Sequence, residues 1–164
     1  MSSQISPLEN TVNLKGGITV NPAMSLSSMN EALQQALKNY DTSDKSIIIR
    51  CESLPRYEGN NEQMTEVFDQ LLSTIFYQPF NGSQLFLYIN CRESKDIESF
   101  CKPGFKAFEV VFQTNITTDD EWRRQIVPVL KKCDSLLSRM DATLLVNTQT
   151  SKGCLFVISL QGKF

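Results

Sequence analysis

The chain has 164 residues, 41% hydrophobic and 21% charged, with a formal net charge of −2. That is the length of one domain with apolar material enough for a core. A near-neutral balance without a basic stripe argues against nucleic acid as the partner, and no apolar run reaches the ~18 residues of a membrane span.

In chain order, residues 1–20 read as a polar leader without the charged start and apolar stretch of a secretory signal. A short strand or hairpin around Gly16-Gly17 is expected at residues 11–20, and residues 21–164 are expected to form the domain. Leu26, Met29, Leu33, Ala36, Leu37 and Tyr40 recur at helical spacing. With Ser28 and Glu31 three apart as a capping box, they predict a first helix over 27–40. Residues 46–52, Ser-Ile-Ile-Ile-Arg-Cys-Glu, are rich in β-branched side chains and predict a buried strand. Pro55 opens a loop. Gly59, Asn60 and Asn61 then supply a helix start. Met64, Val67, Phe68, Leu71, Leu72, Ile75 and Phe76 form the stripe of a second helix over 61–78, stopped by Pro79.

Residues 84–91 and 105–114 predict two strands joined by a charged loop at 92–104. In the second strand, Phe108, Val110 and Phe112 share one face and Glu109 and Val111 the other. Thr118 to Glu121 reads as a further capping box. Trp122, Ile126, Val129, Leu130, Cys133, Leu137 and Met140 follow at helical spacing. Pro128 interrupts that stripe and predicts a kink, or two helices with the second starting there. Strands at 143–147 and 155–160, joined by a turn at Ser151-Lys152-Gly153, close the chain as a hairpin. The expected class is α+β: a two-layer α/β sandwich whose mixed, mostly antiparallel sheet carries about three helices on one face.

Five cysteines are widely spaced without a CxxC pair, which argues against a zinc site. Most stand in apolar runs and are expected to be buried thiols in a reducing cytoplasm. The chain has no histidine. A histidine-based catalytic triad, a His-ligated metal and a phosphohistidine on this chain are thereby excluded.

Two segments carry a resemblance. Residues 54–79, LPRYEGNNEQMTEVFDQLLSTIFYQP, align without a gap to the LPxVxGDxxxLxxVxxNLLxNAIKF pattern of histidine-kinase ATPase domains. Leu54-Pro55, Gly59, Met64, Val67, Leu71-Leu72 and Phe76 match. Residues 140–160, MDATLLVNTQTSKGCLFVISL, resemble the closing MGGxIxVxSxxGxGSxFxxxL pattern, matching at Met140, Leu144, Val146, Thr148, Gly153, Phe156 and Leu160. The chain therefore resembles the ATPase domain of bacterial sensor histidine kinases, a Bergerat-type fold.

In that family, an Asn on the helix binds magnesium with a Glu or Asn one turn earlier. An Asp in a DxGxG motif recognises adenine, and a second glycine-rich stretch opens a lid over the phosphates. The resemblance places the helix pair on Gln70 and Thr74, the neighbouring basic position on Tyr77, and remnants of the site at Gln113, Asn115 and Gly153. Thr74 offers only a hydroxyl, a poor magnesium ligand. Residues 112–122 read FQTNITTDDEW, without Asp-x-Gly or any glycine. The lid shrinks to about a dozen residues before the last helix.

These departures imply that ATP and magnesium are lost, that the chain is no enzyme, and that it serves as a protein-interaction module in bacterial signalling. The expected partners are a kinase, a response regulator or the chain itself as a homodimer. The alternatives are a nucleotide-binding domain with altered contacts, in which Gln70, Gln113 and Asn115 are polar pocket residues, and an unrelated small α/β domain.

Overall fold

The apolar stripe that begins at Met64 organises the molecule. The structure is a computed structural model, and it describes residues 26–94, 101–150 and 153–164. The hairpin expected at residues 11–20 lies outside the described residues, as do residues 95–100 of the loop before Gly104 and residues 151–152 of the last turn.

Helix α2, Asn61–Phe76, starts at Asn60, whose side chain accepts from the Gln63 amide at 3.0 Å and so satisfies one orphan donor of the first turn. Met64, Val67, Phe68, Leu71, Leu72 and Ile75 are fully buried along it. Each such side chain contributes about 1.5–3 kcal/mol of transfer free energy. Helix α1, Met29–Leu37, packs beside α2 and is capped by Ser28, which accepts from Glu31 N at 3.2 Å. The helix ends before Tyr40, whose hydroxyl donates to Asp69 of α2 at 3.0 Å. Tyr40 thus keeps its packing against α2 although the helix has already stopped.

Five strands form the main sheet: β2 (Ile47–Cys51), β4 (Leu85–Glu93), β5 (Lys106–Thr114), β6 (Thr143–Thr150) and β7 (Gly153–Gly162). Their order across the sheet is β2-β4-β5-β7-β6. Only β2 and β4 run parallel, and the other neighbours are antiparallel. The parallel pair encloses α2, as a crossover between parallel strands requires. Two short strands that the sequence did not announce, β1 (Ser27–Ser28) and β3 (Arg56–Tyr57), pair with each other, and Arg56 also bridges to Lys163.

The helices gather on the sheet face that carries Leu87, Ile89, Val110, Phe112, Phe156 and Ile158, all fully buried. Phe68 meets Phe112 there at a ring separation of 5.6 Å. This is the expected α+β arrangement, with a mixed, mostly antiparallel sheet and three helices among the described residues.

Helix α3, Asp120–Ser138, differs from expectation in two ways. Its cap is Asp119, which accepts from Trp122 N at 2.8 Å, one residue later than Thr118. It also runs through Pro128 as one helix. Pro128 is exposed, so the lost i−4 bond lies on the solvent side, where water can replace it.

The cysteines are also corrected. Cys133 and Cys154 are buried, and burial pushes each thiol up to about 12, but Cys51 is exposed and Cys91 and Cys101 are half-buried. Cys51 stands at the end of an edge strand, where no second layer covers it. No described helix is long and apolar enough to cross a membrane, and no group of metal-ligating side chains occurs among the described residues.

Candidate functional site

The C-terminal half of α2 and the N-terminal half of α3 leave a cleft between them. Ser73, Thr74, Tyr77 and Gln78 line it from α2 and its end. Trp122, Gln125, Ile126 and Val129 line it from α3. Its volume is about 210 Å³, below the roughly 300–1,000 Å³ of small-molecule sites. Trp122 forms the floor, 4% exposed and edge-on to Phe156 at a ring separation of 6.4 Å. Tyr77 stands at the rim, 78% exposed. Among the described residues that line the cleft, none is charged.

The segment where a lid is expected is shorter than the sequence suggested. Only residues 115–119 separate β5 from α3, because α3 takes in Trp122 and its neighbours. That connector is stitched to the end of α2. Gln78 Nε2 donates to Thr117 O at 2.7 Å, Thr117 N donates to Pro79 O at 2.7 Å, and Ile116 bridges to Phe80. A backbone held at successive residues is not a free flap.

Thr74 and Tyr77 reach the cleft. The Thr74 hydroxyl donates to Gln70 O one turn back at 3.0 Å, which commits its proton and leaves the oxygen lone pairs as its only offering to the cleft. Gln70 stands one turn earlier in α2, outside the lining.

The other three residues are placed elsewhere. Gln113 alternates with the inward Phe112 and so projects from the opposite face of the sheet. Asn115 serves the backbone: its Oδ1 accepts from Phe86 N at 2.8 Å, and its Nδ2 donates to Asn81 O at 2.7 Å and Gln84 O at 2.9 Å. Gly153 turns the last hairpin at a φ of +93° against the Thr114 carbonyl. The structure therefore brings together two of the six, and adds Ser73, Gln78 and Gln125, whose spacing about Thr74 and Trp122 was the signal available in the sequence.

Thr114 is a residue that sequence reasoning passed over. It ends β5 on the helix-facing side, 1% exposed, and its Oγ1 has no hydrogen-bond partner among the described residues. A buried unsatisfied hydroxyl costs about 1–3 kcal/mol. The isosteric Thr114→Val is therefore expected to raise stability by about 1 kcal/mol, or about 2–4 °C in Tm for a domain of this size. A fall in Tm in a melting experiment would mean that the hydroxyl is bonded after all, through water.

No family model matches the sequence, and no curated protein matches it. Solved structures do match the fold. The mycobacterial sensor histidine kinase MprB superposes with a TM-score of 0.60 at 10% identity, covering 85% of this chain and 97% of that one. The catalytic domain of histidine kinase ThkA gives 0.58 at 10% identity over 85% and 97% of the two chains. The ATP-binding domain of PrrB from Mycobacterium tuberculosis gives 0.56 at 12% identity over 85% and 97%. These likenesses correct one expectation from the sequence, that the chain is no enzyme. The fold it shares is the one that histidine kinases use as their catalytic, ATP-binding domain, so departures from motif letters do not justify that exclusion.

Proposed function

Because the chain has the fold of the ATP-binding domain of sensor histidine kinases, we propose that it is a kinase-type signalling domain that works through contact with other signalling proteins, and that its cleft has lost the family's grip on ATP and magnesium. The lining of the cleft carries this reading. Magnesium and a triphosphate need anionic or carbonyl oxygens for the metal and cationic or backbone donors for the phosphates. The cleft offers hydroxyls, two side-chain amides and apolar carbon, with no carboxylate for a metal and no cationic side chain for phosphates among the described residues that line it. If metal ligand, base recognition and phosphate cradle each contribute ~1–3 kcal/mol, their joint loss weakens binding by several orders of magnitude. With the cleft so reduced, the surface remains as the functional asset, and the partners are a kinase, a response regulator or a second copy.

A second reading, an adenine-nucleotide site with altered contacts, is favoured by one observation. Tyr77 at the rim and Trp122 at the floor offer aromatic surface to a base. Titration calorimetry with ATP and magnesium separates the two. The first reading expects no heat of binding and no thermal shift at millimolar nucleotide. A shift of several degrees means ligand well above its Kd and would establish the second. Binding of purified receiver and kinase domains, followed in parallel, tests the contact role directly.

A further inference from the structure

The free edge of the sheet beside α3 is built like an interface. Strand β6, Thr-Leu-Leu-Val-Asn-Thr-Gln-Thr, pairs with β7 on one side. Nothing among the described residues pairs with its other side. Edge strands are normally blunted by a charge, a proline or brevity. Strand β6 has eight residues and neither charge nor proline; its register with β7 shifts only between Asn147 and Thr150, which leaves residues 143–147 as a regular open edge. The opposite edge, β2, has five and carries Arg50.

Beside β6 runs a groove of about 280 Å³ whose wall on α3 comprises Val127, Leu130, Lys131 and Asp134. These stand at i, i+3, i+4 and i+7, one continuous stripe of the helix, distinct from the core stripe of Trp122, Ile126, Cys133 and Leu137. Leu145 and Val127 are 64% and 44% exposed, so the patch is apolar and open. Lys131 and Asp134 form no ion pair among the described residues.

We propose that this surface is the two-fold interface of a homodimer, in which β6 of one copy pairs antiparallel with β6 of the other and extends the sheet from copy to copy. Charge complementarity selects a second copy over another partner. Two antiparallel α3 helices related by a two-fold axis set Lys131 of each against Asp134 of the other, so one lysine and one aspartate per chain neutralise both copies. An interface of this kind makes the same contacts twice, and the residues that must match lie three positions apart on one helix. The proposal deepens the interaction reading by naming one partner and one surface.

The experiment is the mass of the full chain by light scattering and sedimentation, together with amide hydrogen exchange across β6. The wild-type chain is expected to be a dimer at micromolar concentration with protected β6 amides. Leu145→Lys, which places like charges across the two-fold on a side chain already exposed, is expected to raise the dimer dissociation constant at least about tenfold with monomer stability unchanged. Lys131→Glu sets four carboxylates together and weakens the dimer by about tenfold, whereas Lys131→Glu with Asp134→Lys restores it to within about threefold. A chain that stays monomeric at ~100 µM, well above the Kd of a specific interface, overturns the proposal. So does a dimer indifferent to Leu145→Lys, or one that the double reversal fails to rescue. A monomer that still binds receiver or kinase domains would overturn this surface while leaving the signalling-contact reading standing.

Discussion

Trp122→Ala is expected to cost about 3–5 kcal/mol of unfolding free energy, the range for truncating a buried aromatic. For a domain of this length that is a fall in Tm of about 6–20 °C. Trp122 is almost fully enclosed and meets Phe156 edge-on, so it fastens the first turn of α3 to the central strands of the sheet. It is also the floor of the cleft. Its loss would leave a void that neighbours cannot fill without moving α3, and a residual cavity adds to the lost transfer energy. The measurement is urea unfolding by circular dichroism, wild type against variant. Trp122 is the only tryptophan of the chain, so its fluorescence in the wild type reports the docking of α3 alone. Trp122→Phe should recover more than half of the loss, because a ring still fills most of the site. A cost below 1 kcal/mol for the alanine variant would mean that α3 is not held there.

The second large effect is at the last hairpin. Gly153→Ala is expected to destabilise the protein by about 2–5 kcal/mol, from two sources that add. A φ of +93° is open to glycine and strained for an L side chain, at about 1–2 kcal/mol. A Cβ there would also stand 2.5 Å from the Thr114 carbonyl oxygen, and the backbone cannot yield without disturbing the β5–β7 ladder at Thr114↔Cys154. Relief of that overlap costs a further ~1–3 kcal/mol. Gly82→Ala is the control. It has a similar φ of +97° but open space around the position, so only the conformational cost should appear, about 1–2 kcal/mol. Equal losses at the two positions would refute the steric part of the argument.

Sequence patterns located the elements well where one face of an element is buried and the other is wet. The α2 stripe from Met64 to Ile75 is buried as its spacing predicts, because 3.6-residue periodicity needs no knowledge of what lies opposite. Strand ends were less legible. The last two strands extend to Thr150 and from Gly153 to Gly162, since β7 finds a partner residue on β5 along nearly its whole length. Pairing of this kind is non-local and leaves little mark in either strand alone. Strands β1 and β3 were invisible for the same reason: two residues each, defined only by each other.

The candidate site was legible in part. Thr74 and Tyr77 reached the cleft because both lie on one helix, where spacing fixes direction. Asn115 and Gln113 did not, because a strand end and a connector take their direction from hydrogen bonds made elsewhere, such as the three that hold Asn115 to the segment around Gln84. The short connector at residues 115–119 also depended on contacts with residues 78–80 that no local pattern announces.

By itself the sequence determined which residues form the helices and the principal strands, that the chain has no histidine, and that Gln70, Thr74 and Tyr77 differ from the letters of the pattern it resembles. Those are properties of side chains read one at a time or at fixed spacing. Only the tertiary structure decided the strand order β2-β4-β5-β7-β6, the neutral lining of the cleft and, among the described residues, the unpartnered hydroxyl of Thr114 and the open edge of β6. Each depends on which distant segments meet, and hydrophobic burial drives the chain to meet without recording in the local sequence where the meeting occurs.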